Sequence, residues 1–201
     1  MSPGYLTGYT PERGRYAPIA RCSGKTSLYW YVMEELLRGI FSLSYWDVLA
    51  DMHGLLAMLL LILFGTALIL YFSLSKFAQA ARWLKYTLST LALNLIAVDI
   101  MGLYIYGAYR ASEGPRTLLK SVPETAWLHE IVFEHKEMLA YAPWLMIVVA
   151  LVIVAALGER LQSREFRFLR MIVLFSILVA LLYVLTIAGE AVLVTKAAPL
   201  R

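Results

Sequence analysis

Twenty consecutive residues, Gly54 to Ser73, carry no charge. A helix of that length, rising about 1.5 Å per residue, spans the roughly 30 Å hydrocarbon core of a bilayer. Inside hydrocarbon a chain must hydrogen-bond its own backbone, which only helices and closed barrels do. Unbroken apolarity at this length, without strand-like alternation, selects the helix. Three more runs of the same kind follow, and the spans are expected at about 48–73, 86–108, 138–157 and 171–194. The fold class is therefore expected to be an all-α integral membrane protein, with residues 48–201 forming a four-transmembrane-helix bundle. Composition agrees: 61% of the chain is hydrophobic and 16% charged, against about 45–50% and about 25% in soluble domains. A soluble globular enzyme, a disordered segment and a disulfide scaffold are excluded. The single cysteine, Cys22, rules out an intrachain disulfide. Four spans use up the 201 residues and leave no room among them for a soluble catalytic domain.

Residues 1–26 contain Pro3, Pro11 and Pro18 and lack the apolar stretch of a signal peptide, so they read as an irregular tail. Gly24-Lys25-Thr26 looks like the end of a phosphate-binding loop, but Ile19 stands where the earlier glycine belongs. Residues 27–47 place Glu34, Glu35, Arg38 and Ser42 on one helical face, which predicts an N-terminal amphipathic interfacial helix. The third helix is expected to begin near 122, because Ser121-Val-Pro-Glu124 fits a capping box with Pro123 in the first turn.

Charge sets the expected orientation. Lys76, Arg82 and Lys85 lie in the 74–85 loop, and Arg160, Arg164, Arg167 and Arg170 in the 158–170 loop. Both loops are predicted cytoplasmic and both termini outside, in a multi-pass protein of the cell membrane. Arg13, Arg15, Arg21 and Lys25 in the tail oppose export, but they stand far from the first span. The net charge of +4 reflects these basic loops, so the expected partners are the lipid bilayer and other membrane subunits, with no nucleic acid. One asparagine and two glutamines suit a hot-living source.

The three histidines, His53, His129 and His135, fall on one predicted side. His53 and His135 sit at the mouths of the first and third spans, which run in the same direction. Two imidazoles at matched depth suit axial ligation of haem b between helices. Ala57 and Ala142 would leave room, and Arg110, Arg116, Lys120 or Lys136 could pair the propionates. The plain alternative is three histidines tolerated at headgroup level. A non-haem metal site would draw on Asp51, His129, Glu130 and Glu134, although neither Glu-x-x-His nor HExxH spacing occurs. Asp99 and Glu190 lie within spans, where a charge costs about 2.5–3.5 kcal/mol and usually has a task. Glu190 shares a polar stripe with Ser176, Tyr183 and Thr186. These acids are expected to handle protons or a quinone, or else to bond a neighbouring helix.

Four spans with histidines at the mouths of the first and third resemble small membrane b-type cytochromes, in hydropathy and two histidines only. The leading expectation is an integral membrane subunit of a respiratory or electron-transfer complex, with haem b on His53 and His135 and with quinol or protons handled by Asp99 and Glu190. An accessory subunit packing around a larger complex is the second expectation. A small metal-dependent oxidase or transporter is the third.

Overall fold

The computed structural model describes residues 45–77 and 79–198. The predicted tail, and the predicted interfacial helix up to residue 44, lie outside the described residues. From Tyr45 on the chain is helical with no strand among the described residues: α1 is Tyr45–Phe72, α2 Ala80–Tyr109, α3 Pro115–Ser121, α4 Pro123–Gln162 and α5 Arg167–Ala197. Of these, α1, α2, α4 and the last segment are long and apolar enough to cross a membrane. They carry the make-up of a multi-pass membrane protein. Leu55, Ile62 and Ile69 of α1 point outward at 70%, 65% and 69% exposure, an arrangement that water opposes and lipid accepts.

α1 pairs with α2 and α4 with α5 as antiparallel hairpins, α2 packs on α4, and α5 returns to α1. The ring therefore runs α1, α2, α4, α5, with α1 opposite the parallel α4. Most of its interior is one apolar cluster, in which Phe64, Leu84, Leu88, Leu91, Ile147 and Ile177 are fully buried. That cluster explains why α2 starts six residues before the expected span: Ala80, Ala81 and Leu84 belong to it. Two polar bonds stitch the ring. Asn94 Nδ2 donates to the Leu56 carbonyl at 3.0 Å, joining α2 to α1. Tyr71 Oη donates to the Arg170 carbonyl at 3.0 Å, joining α1 to α5 at the loop end. A second, smaller cluster of Tyr109, Leu119, Leu128, Phe133 and Val194 caps the opposite end.

α4 begins as expected, with Val122 extended and Pro123 at the first helical position. The capping box does not form: Ser121 Oγ donates backwards to the Leu118 carbonyl at 2.8 Å. The reason is α3, a short helix that the sequence reading missed and that ends at Ser121 itself. Nor is α4 uniform. Leu128–Phe133 is a π turn, and the helix breaks at Ala140 between Glu134–Leu139 and Tyr141–Leu157. Pro143, buried in the bundle, explains the break, since its ring has no N–H and collides with the carbonyl four residues back. Where the α-helical Tyr141–Leu157 segment of α4 passes into its last, tighter turn, Gly158 adopts φ +52°. No atom stands near a Cβ built there, so backbone conformation alone favours glycine.

Burial separates the two faces of α2. Leu88→Ala removes a fully buried side chain and is expected to destabilise the bundle by about 2–5 kcal/mol. Leu93→Ala, at a site 69% exposed to lipid, should cost far less. Thermal unfolding of the two variants in detergent checks the difference.

Candidate functional site

Between the two apolar clusters lies a layer that neither fills. It falls at residues 53–59 of α1, 99–105 of α2, 134–143 of α4 and 185–193 of α5. The ionisable residues of the helix interiors collect there. His135 Nδ1 and Glu190 Oε1 are 2.6 Å apart, joining α4 to α5. The Glu190 side chain is 16% exposed and the His135 side chain 53%. In the Nδ1–H tautomer of the neutral imidazole, the carboxylate accepts that N–H and Nε2 keeps a lone pair. The other carboxylate oxygen, Oε2, is buried with no hydrogen-bond partner.

Lys136 follows His135 in the same helical segment. Its ammonium lies 4.9 Å from the Phe133 ring centroid, and its electrostatic neighbours include His53, Glu137 and Glu190. His53 reaches from α1 to α2, with Cε1 3.6 Å from where a Cβ on Gly102 would stand. Its Nδ1 is buried without a hydrogen-bond partner. His53, Lys136, Glu190 and His135 thus form a chain of charged and titratable groups across the bundle. Two buried polar atoms in it, on α1 and α5, are unsatisfied by the described residues. Asp99 stands on α2 between Val98 and Gly102, the stretch His53 packs against; it is half-buried and makes no hydrogen bond or ion pair among the described residues.

The sequence expects His53 and His135 to face each other at one depth. The residue of α4 electrostatically coupled to His53 is Lys136, while His135 bonds α5. The stripe on α5 is less uniform than its spacing implies: Ser176 is buried, whereas Thr186 is exposed with its hydroxyl returned to the Leu182 carbonyl at 3.0 Å.

The third histidine goes elsewhere. His129 is 2% exposed within the capping cluster. Arg116 Nε–H donates to its Nε2 at 3.2 Å, so the ring hydrogen sits on Nδ1 and donates to Tyr109 Oη at 3.0 Å. Both nitrogens are engaged, and His129 ties α3 to the end of α2. Phe133 stacks on Tyr109 with centroids 4.1 Å apart, and the π turn holds His129 and Phe133 against that one ring. Gly114 makes this junction: a Cβ there would fall 2.5 Å from the Ala108 carbonyl and 2.7 Å from that of Tyr109. Asp51, Glu130 and Glu134 are exposed, and Glu130 lies 4.0 Å from Lys120. Among the described residues no three histidine, cysteine or acidic side chains gather closely enough to hold a metal ion. Sequence reasoning named Arg116 and Lys136 only as candidates for propionate pairing. Nothing in the spacing pointed to the Arg116 bond with His129 or to the electrostatic coupling of Lys136 to Glu190.

No protein-family model, curated protein or solved structure matches this chain.

Replacing His129 with Ala strands Tyr109 Oη and Arg116 Nε, and leaving a buried donor unpaired costs about 1–3 kcal/mol. Hydrogen exchange is expected to quicken across residues 110–128 while residues 60–70 of α1 keep their protection. Mass-spectrometric exchange in detergent checks both halves.

Proposed function

We propose that the chain is an integral membrane subunit of an electron-transfer complex, and that the layer containing His53, His135, Lys136 and Glu190 takes up protons from a quinol. The contact between His135 and Glu190 carries this reading. A carboxylate on Nδ1 fixes the tautomer and orientation of the imidazole and stabilises the imidazolium formed when Nε2 accepts a proton. A quinol surrenders two protons with its two electrons. His135 accepts one, His53 or Asp99 the other, and the electrons pass to a redox centre in a partner subunit. Lys136 compensates the Glu190 charge within a region of low dielectric. The half-exposed His135 side chain gives a head group access from the bilayer side.

A second reading has its own support: His53 and His135 as axial ligands of a haem b. Metal-bound histidines commonly donate their remaining ring N–H to a carboxylate, as His135 does. His53 carries a buried nitrogen free of other partners. A bound haem would supply one-electron transfer, with Lys136 available to a propionate.

Organic extraction of the detergent-purified protein, together with a reduced-minus-oxidised spectrum and pyridine haemochrome, separates the two. Retained quinone without haem supports the first reading, and haem near one per chain supports the second. Neither cofactor, with stable co-purification of other membrane subunits, would leave an accessory packing role. Under the quinol reading, Glu190→Gln should lower quinol oxidation by the complex about 10²-fold, with subunit assembly unchanged on native gels.

A further inference from the structure

The opposite end of the bundle carries a different kind of feature. Lys76, Arg82 and Lys85 flank the connection from α1 to α2, and Arg160, Arg164, Arg167 and Arg170 flank that from α4 to α5. Only Glu159 and Glu165 offer negative charge in those stretches. None of the seven cations forms an ion pair among the described residues. The other end differs: there Arg116 is bound to His129, Lys120 lies near Glu130, and Lys136 neighbours Glu190. Five of the seven, Lys76, Arg82, Arg160, Arg164 and Arg167, are exposed. They alternate with outward aromatic side chains: Trp83 is 54% exposed, Tyr86 53% and Phe168 74%. Trp83 and Tyr86 meet edge to face at 6.2 Å, and Lys85 lies 5.5 Å from the Tyr86 ring.

Amphipathic rings of this sort settle at the headgroup level of a bilayer. The cations beside them are thereby placed among lipid phosphates, at the ends of helices whose sides face acyl chains. We propose that this end of the bundle binds anionic phospholipids, with Arg160, Arg164 and Arg167 as the principal phosphate contacts and the exposed aromatics setting the depth. Arginine suits the task because its planar fork donates two parallel hydrogen bonds to a phosphate. A soluble acidic protein would also meet positive charge here, but it would not require apolar rings interleaved with the cations. The inference does not depend on the reading of the polar layer.

The test is lipid selection by the full chain. The protein is reconstituted in nanodiscs made from an equal mixture of phosphatidylcholine and phosphatidylglycerol, and the lipids it retains on release are counted by native mass spectrometry. Each basic residue near an anionic surface contributes enough for several-fold selection, so phosphatidylglycerol should be enriched at least about threefold over the bulk mixture. Raising salt from ~0.1 M to ~1 M shortens the screening length to about 3 Å and should erase the enrichment. The triple variant Arg160→Gln, Arg164→Gln, Arg167→Gln should lose it, while the triple Arg→Lys variant keeps a reduced preference. Circular dichroism confirms that both variants are folded. If folding fails in the glutamine variant, the salt response and the lysine variant decide alone. Equal retention of the two lipids by the wild type overturns the proposal. So does enrichment that survives both salt and the glutamine substitutions. Salt-sensitive capture of an acidic protein without any lipid selection assigns the surface to that protein instead.

Discussion

A chain surrounded by hydrocarbon has nowhere to place an unsatisfied amide, and every larger feature of this bundle follows from that limit. It makes the four long helices obligatory and turns their apolar faces outward as well as inward. It also makes each departure from regular helix informative. The π turn at Leu128–Phe133 and the break at Ala140 both fall in α4, the first at the margin of the polar layer and the second within it. Such irregularities occur where a backbone is shaped around side chains with a task. Here the π turn sets His129 against Tyr109, and just beyond it His135 bonds Glu190 while Lys136 lies against Phe133.

The polar layer is held by its surroundings more than by its own bonds. Below it, the interlocked apolar cluster fixes the spacing of the helices. Above it, the aromatic cap built on Tyr109, Phe133 and His129 keeps the ends of α2 and α4 together. A carboxylate and an ammonium between two such clusters feel a lower dielectric than at a surface. Their mutual attraction is correspondingly stronger, as is the cost of leaving Oε2 of Glu190 and Nδ1 of His53 without partners. Each of these two atoms lacks a partner among the described residues.

Much of this architecture was legible in the residues. Long uncharged runs place the spans to within a few positions, because length and continuous apolarity are direct requirements of the bilayer. The boundary at Ala80 was missed because Arg82 and Lys85 mark the stretch as loop, whereas Ala80, Ala81 and Leu84 on the other face of the same turns pack into the core. α3 was missed because seven residues carry too little periodicity to read. The partners of His53 and His135 were not legible: His53 is coupled to Lys136, and His135 bonds Glu190. Whether His135 or Lys136 turns toward α1 depends on the phase of α4, which the π turn and Pro143 alter. His129 looked like a ligand beside acids, and its clamp by Arg116 depends on the tight approach of Gly114 to α2.

The Tyr71 hydroxyl, bound to the Arg170 carbonyl, closes the ring where the first and last spans meet. That seam is the least extensive of the four around the ring, and this bond fastens one of its ends. The bundle is therefore a ring with one thin seam, pinned at the basic-loop end, and His53 and Glu190 stand on the two helices that border it.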